Sequence, residues 1–94
     1  MTHYVYILAS ARGTIYTGST NNLRRRLEQH ASGAVNSFVR KYRTNRLIYV
    51  EVADSAEAAF ARERQIKGLR REKKVALIEA DNPHWEDLSS KLLA

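Results

Sequence analysis

Between Tyr16 and His30 the sequence changes its period, and that change limits what the rest of the chain can build. Thr14-Ile15-Tyr16-Thr17 is β-branched and aromatic, the composition of a strand. From Leu23 onward the apolar residues fall four apart, at Leu23 and Leu27, which is the stripe of a short helix. The link between them is small and polar. Gly18 lets the backbone bend or approach another group closely. Asn21 or Asn22 suits the helix N-cap. Ser19, Thr20 and the unpaired amides of the first helical turn offer a place for an anion.

At about 100° per residue, Arg26 and His30 fall beside the Leu23/Leu27 stripe and so turn toward the body of the protein. Arg24 and Arg25 point elsewhere. Tyr16 can be aimed at the same place as Arg26 and His30. A tyrosine, an arginine and a histidine converging behind an anion-friendly turn suggest work on a phosphate.

The remaining elements follow from the same periodicities. Tyr4 to Leu8 is a first strand, and Ser10-Ala11-Arg12-Gly13 is a turn that joins it to Thr14–Thr17 in a hairpin. If the register brings Tyr6 and Tyr16 to one surface, both phenols look onto the same ground. A helix over about 22–31 ends near Gly33. Asn36 to Arg43 is a short basic helix or turn anchored by Phe38, Val39 and Tyr42. Arg46 to Val52 is the clearest strand. Asp54 is positioned to cap a long helix, with Glu57 three residues on completing a capping box. Ala56, Ala59, Phe60, Ile66 and Leu69 form the apolar face of that helix. Glu63 falls within the same face, where a carboxylate is costly unless it is paired or holds a cation. Gly68 loosens or ends the helix. Glu72 to Ala80 is a further helix, broken at Asp81-Asn82-Pro83. Trp85 docks on the domain, and Glu86 and Asp87 are solvated.

The sum is a β-β-α-α-β-α-α order: a small α/β fold of the α+β type, with a three-stranded sheet flanked by helices. With 94 residues the chain is one domain, residues 1–94, with a core over about 3–80 and a tail over 81–94.

Charge narrows the partners. The formal net charge is +6, and the basic residues cluster. Seven lie between Leu23 and Arg46 against one acid, Glu28, and seven more lie between Arg62 and Lys74 against Glu63 and Glu72. Two such segments are the footprint of a polyanion-binding protein. The chain has no cysteine, which excludes disulfides and thiolate metal sites and fits a reducing, cytoplasmic location. The longest apolar run, Tyr4 to Ala9, is far short of the ~20 residues of a membrane span, so no membrane association is expected.

As a set, these residues resemble the GIY-YIG nuclease superfamily, most closely its small single-domain bacterial members. Tyr4-Val5-Tyr6 stands where the family has its Gly-Ile-Tyr-like triplet, with Tyr4 in place of the glycine. Tyr16-Thr17-Gly18 stands where it has Tyr-Ile-Gly. The run Ser-Thr-Asn-Asn-Leu-x-x-Arg-x-x-x-His is similar to the family's turn and basic helix, and it places the arginine on Arg26 and the histidine on His30. Ala-x-x-Arg-Glu-x-x-x-Lys, from Ala59 to Lys67, resembles the helix that carries the metal-binding glutamate, here Glu63. The closing Asn-Pro-x-Trp-x-Asp-Leu resembles the tail of the single-domain group.

The resemblance implies a divalent-metal-dependent endonuclease that hydrolyses phosphodiester bonds, with DNA favoured over RNA and Mg²⁺ or Mn²⁺ as cofactor. It implies Tyr6, Tyr16, Arg26, His30 and Glu63 as the catalytic set, with Glu63 as metal ligand. Tyr6 and Tyr16 would orient or deprotonate the attacking water, Arg26 would pair with the phosphate, and His30 would relay a proton or hold a phosphate. Ser19, Arg24, Arg25, Arg40, Lys41, Lys67 and Arg70 are candidates for contact with nucleic acid, and Asn82 is a further candidate for the site. Larger relatives take their selectivity from added domains, so a partner protein is expected to supply it here. The alternatives are a binding module that kept the fold without turnover, a protein-interaction adaptor using Trp85 and the C-terminal segment, and a structural role for Arg26 as the counter-ion of Glu63.

Overall fold

A computed structural model describes residues 2–31 and 43–93. Three strands, β1 (His3–Ala9), β2 (Ile15–Thr20) and β3 (Arg46–Ala53), form one antiparallel sheet in the order β2-β1-β3. The helices are α1 (Leu23–Ala31), α2 (Ala56–Lys67), α3 (Arg71–Asp81) and a short α4 (Ser89–Leu93). The three-stranded sheet flanked by helices is the expected architecture. The expected second helix falls at 36–43, and only Arg43 of it lies within the described residues. Arg40 and Lys41 lie outside them, as does Gly33.

The central strand is apolar on both sides because helices cover both sides. Val5, Ile7 and Ala9 pack under α2 and α3 with Ile48, Tyr49, Ala59, Ile66 and Ile78. Tyr6 and Leu8 face the other way, against Leu23 and Leu47 with Tyr16, Leu27 and Leu88 alongside. This is the two-residue alternation of a strand, read from both layers at once. In β3 the alternation is interrupted: Ile7 pairs with Tyr49 but Leu8 pairs with Leu47. The extra residue, Ile48, makes a bulge, and Ile48 and Tyr49 therefore both turn into the α2/α3 layer.

The β1–β2 turn forms as its sequence predicts. Gly13 has φ +87, and the Ser10 hydroxyl accepts from the amides of Arg12 and Thr14 at 3.2 and 3.1 Å. Arg71 at the start of α3 donates to the Gly13 carbonyl at 2.7 Å, which ties the hairpin tip to the helical layer.

Two expectations about α2 are corrected. Ser55, not Asp54, caps α2: its backbone is extended and its hydroxyl accepts from the Ala58 amide at 3.0 Å. The helix starts one residue later than expected, which puts Ser55 within reach of that amide. Phe60 and Ala56 are exposed, so the apolar face of α2 narrows to Ala59 and Ile66. The segment after Pro83 is built into the fold. Leu88 donates to the Leu47 carbonyl at 2.7 Å, Asp87 accepts from the Leu47 amide at 3.3 Å, and Arg46 donates to the Trp85 carbonyl at 2.8 Å. These bonds cover the start of the open edge of β3, where unpaired strand groups would otherwise be exposed. Asp87 is thus an acceptor for backbone and for Ser89, and the hydrogen bonds hold its carboxyl below the usual range despite partial burial. Trp85 packs on the α2/α3 core as expected, with its indole donating to Glu79 at 2.9 Å.

Candidate active site

The β1–β2 register decides the site. Tyr6 pairs with Gly18 and Leu8 pairs with Tyr16, so Tyr6, Tyr16 and Gly18 share one face. The Tyr6 ring lies across Gly18: a Cβ there would sit 2.6 Å from the Tyr6 hydroxyl and 2.8 Å from Cζ. Gly18 is therefore needed for a side chain and not for a turn, since its backbone is ordinary strand. The missing side chain lets a phenol from the central strand reach out over the edge strand.

Helix α1 packs over that face. Asn22 is its cap, with Oδ1 accepting from the Arg25 amide at 3.1 Å. The cap fixes the helix phase, and Leu23 and Leu27 then turn His30 and Arg26 inward as their spacing requires. His30 is buried, and its Nε2 lies 3.1 Å from the Tyr6 hydroxyl. The rings of Tyr6, Tyr16 and His30 form a triangle with centroids 6.5, 5.9 and 5.7 Å apart. Burial pushes the Tyr6 phenol well above its ordinary range; the charge of Tyr16 adds to this, and Arg26 opposes it by its charge and a hydrogen bond. Burial and the Arg26 charge together hold the His30 imidazole below its ordinary 6.5. At neutral pH the group is a neutral imidazole against a protonated phenol, with a guanidinium beside them.

Glu63 comes from the other layer. At about 100° per residue along α2, the buried Ala59 and Ile66 lie together, Arg62 falls to one side of them and Glu63 to the other. Arg62 reaches β3, where it forms a bidentate pair with Glu51 at 2.8 and 3.2 Å. Tyr49 donates to the same carboxylate at 2.5 Å. Glu63 reaches β2, where Ser19 donates to its Oε1 at 2.6 Å, and Lys67 donates to its Oε2 at 2.6 Å. The carboxylate is 14% exposed, and the two donors account for its place in an otherwise apolar face. The counter-ion of Glu63 is Lys67, so the structural pairing considered for Arg26 is not found.

Ser19 is adjacent to Gly18, but the strand pleat turns it to the opposite face. It therefore does not join Thr20 at the start of α1 as an anion-binding hydroxyl, and that expectation is corrected. Through Ser19 the acid lies against the opposite face of β2 from the phenols. They flank β2, an edge strand, and approach each other around it closely enough that the Glu63 charge contributes to the high Tyr6 pKa.

Two shallow clefts open on either side of this strand end. One, of about 530 Å³, is lined by Thr20, Asn21, Asn22, Arg25, Arg26 and Gln29. The other, of about 460 Å³, runs between Ser19, Thr20 and Asn21 and the start of α2 at Ala56, Ala59 and Phe60. Arg24 and Arg25 are exposed on α1, and Arg70 is exposed at the head of α3. Asn82 is not part of this arrangement. It is buried beside β3, donating to the Ile48 and Glu86 carbonyls at 3.0 and 2.9 Å and accepting from the Glu86 amide. The orienting role of Ser19 was not foreseen. The sequence signal for it is strand parity: Ser19 sits one residue from Gly18, on the side from which Glu63 must come.

A family model described as the GIY-YIG catalytic domain matches residues 2–76. The chain belongs to the GIY-YIG family. That membership carries a nuclease fold and nucleic acid as the class of substrate. Among GIY-YIG relatives, a UPF0213 protein of the archaeon Natronomonas pharaonis is 42% identical over 76 residues, covering 81% of this chain and 89% of its own. A UPF0213 protein of Syntrophus aciditrophicus is 39% identical over 82 residues, covering 86% and 93%. The solution structure of the UPF0213 protein BH0048 from Bacillus halodurans superposes with a TM-score of 0.61 at 36% identity, covering 95% of both chains. Residues 77–94, Asn82 included, lie beyond the GIY-YIG match. No helix of the described residues is long and apolar enough to cross a membrane.

Proposed function

We propose that this GIY-YIG protein is an endonuclease that hydrolyses phosphodiester bonds of DNA with Mg²⁺ or Mn²⁺ at Glu63, on substrates of repair or recombination. One observation carries the reading: four groups from β1, β2 and α1 (Tyr6, Tyr16, Arg26 and His30) gather over Gly18 while Ser19 holds Glu63 at the edge of the same strand.

Glu63 fits a hard divalent cation. Mg²⁺ commonly relies on one or two carboxylates, several waters and substrate phosphate. Oε2 already faces a cation, the Lys67 ammonium, on a side chain 51% exposed that can swing away. Among the described residues no three His, Cys, Asp or Glu side chains cluster to hold a metal, so Glu63 would act as a single-carboxylate ligand. When bound there, such an ion supplies neutralising charge to the crowded phosphate and makes a nearby water more acidic.

The protein's own groups account for the rest. Arg26 offers its fork of donors to two phosphate oxygens. Tyr6 alone is a poor base, because burial favours its protonated form. Its hydroxyl is fully buried and bonded to His30 Nε2, so a proton that reaches it from the water held at Tyr16 can pass on to that nitrogen and no free phenolate has to persist. The water oxygen then bonds to phosphorus, the bond to the leaving oxygen breaks, and that oxygen takes a proton from solvent at the open cleft. Tyr16 orients the water. The Arg26 charge that depresses His30 is offset once a phosphate lies on it, so the pair becomes more basic as substrate arrives.

Supercoiled plasmid with Mg²⁺ or Mn²⁺ is the test. Wild type nicks it, and Glu63→Ala and Tyr6→Phe each abolish nicking. Equal nicking by both variants refutes the reading. A second reading, binding without turnover, has its own support: Ser19 and Lys67 already engage both oxygens of Glu63. It requires salt-sensitive binding that Glu63→Ala leaves unchanged, with no cleavage under any metal.

A further inference from the structure

Phe60 is left over from both the core and the proposed chemistry. It is 57% exposed. Single exposed apolar residues are common and by themselves say nothing. The surroundings of this one are more specific.

On α2, Glu63, Lys67, Phe60 and Arg64 follow one another around the helix within about 100° of arc. The ring therefore stands one turn before the carboxylate and about 60° further out around the helix. The Arg64 guanidinium lies over the ring, 5.8 Å from its centroid. On its inner side the ring borders the cleft of about 460 Å³. That cleft shares Thr20 and Asn21 with the Arg25/Arg26 cleft, so a single ridge at the end of β2 separates the two. Ser19, which holds Glu63, is in its wall. Glu57 stands at its rim and can accept from an exocyclic amino group.

We propose that the Phe60 ring and this cleft receive one unpaired base of the nucleic-acid strand whose phosphate lies at Arg26, so that Phe60 selects for substrates with an unstacked nucleotide beside the cut. The proposal rests on the nuclease reading for the position of the phosphate. An aromatic face accepts any base by stacking, and a cationic group beside it adds to the grip. A base within a duplex has both faces covered and cannot enter. The occupant is nucleic acid and not an apolar side chain of a protein because the Arg64 guanidinium lies over the ring and a cleft carrying Arg25 and Arg26 adjoins it. They complement a phosphate chain threading past.

The test is binding without divalent metal, so that turnover plays no part. Fluorescence anisotropy compares a single-stranded oligonucleotide, the same strand fully paired, and the single strand with abasic sites. Phe60→Ala is expected to weaken single-strand binding by roughly tenfold and duplex binding hardly at all. Phe60→Trp is expected to retain the affinity, and the abasic strand to bind wild type as poorly as the normal strand binds Phe60→Ala. An unchanged melting temperature of Phe60→Ala shows that the fold is intact. If Phe60→Ala matches wild type on every oligonucleotide, as it would were the ring a protein contact, the proposal is overturned. An equal loss on duplex and single strand overturns it too. The two readings separate cleanly. A wild-type protein that never nicks but shows the Phe60 effect sinks the nuclease reading alone. Nicking without any Phe60 effect sinks this proposal alone.

Discussion

Ser19 and Glu63, 44 residues apart in the chain, meet through a 2.6 Å hydrogen bond in which the serine hydroxyl donates to Oε1. The bond crosses from the edge strand to α2 and fixes the direction in which the other oxygen points. Groups that orient a ligand typically matter about 10- to 100-fold in metal affinity or activity. Ser19→Ala is therefore expected to raise the Mn²⁺ concentration needed for half-maximal nicking by at least about tenfold. The partly exposed bond contributes only about 1 kcal/mol to stability, so the melting temperature should move by a few degrees. A metal titration of plasmid nicking beside a thermal melt checks both. A large melting shift with unchanged metal dependence would make the bond purely structural.

Lys67 sits on the second oxygen of Glu63 at 2.6 Å, where a metal ion would also have to sit. A resident ammonium competes with a divalent ion through like-charge repulsion. Lys67→Met is expected to tighten Mn²⁺ binding to the free protein, read by the loss of free-ion paramagnetic resonance signal. The same substitution removes a phosphate-attracting charge, so nucleic-acid affinity should fall while metal affinity rises. Weaker metal binding in Lys67→Met would count against Glu63 as the ligand.

The pH dependence follows from two buried groups. The folded His30 pKa is lowered from 6.5, by burial first and the Arg26 charge second. Between the two values the unfolded chain binds the extra proton, so stability is complete above about pH 6.5 and declines as pH falls through the folded value. Tyr6 works in the opposite sense: its raised pKa keeps stability complete below about pH 10 and erodes it above. Denaturation midpoints across pH, with His30→Gln and Tyr6→Phe as references, should show the acid and alkaline limbs flatten separately. NMR titration of His30 should show its pKa rise when a dinucleotide is added, because the phosphate offsets Arg26. No rise would place the phosphate elsewhere.

Asn82 tests how much of the fold the final residues carry. Its amide bonds Ile48 and Glu86 from a buried position, and replacement by alanine leaves the Ile48 carbonyl without that donor. A loss of about 1–3 kcal/mol is expected, which for a domain of this size lowers the melting temperature by roughly 5–20 °C. Nicking by the folded protein at low temperature should be unchanged. A selective loss of nicking would return Asn82 to the site.

Most of the sheet and the α1 side of the site could be read from sequence because short-range periodicity governs both. Two-residue alternation set Tyr6 and Tyr16 on one face, and the Leu23/Leu27 stripe turned Arg26 and His30 toward them. What could not be read depended on contacts between distant residues. The bulge at Ile48 depends on pairing with β1, and no local pattern marks it. Phe60 fits the helical stripe numerically, yet the narrow strip of sheet under α2 holds only Ala59 and Ile66. Asp87 is a surface acid as its sequence suggests, but its bond to the Leu47 amide depends on β3 lacking a neighbour there, which no local pattern marks. The placement of Glu63 on the far side of β2 follows from which layer α2 occupies, a choice of topology and not of spacing.

Gly18 carries the last prediction. The 2.6 Å separation between a hypothetical Cβ and the Tyr6 hydroxyl is inside any real contact, and Tyr6 is fully buried with no space to retreat. Gly18→Ala should cost about 1–3 kcal/mol through overpacking and push the phenol away from His30. A misplacement on the order of 1 Å can lower a rate by roughly 100-fold, so nicking should drop that far even in the folded fraction. Adding Tyr6→Phe to Gly18→Ala removes the closest clashing atom but leaves Cζ at 2.8 Å. The double variant should therefore recover part of the stability and none of the activity. The two stability losses should be visibly less than additive, since both act at one contact. Strict additivity would mean that the ring does not cross Gly18, and the approach of Tyr6 to the edge of β2 would have to be redrawn.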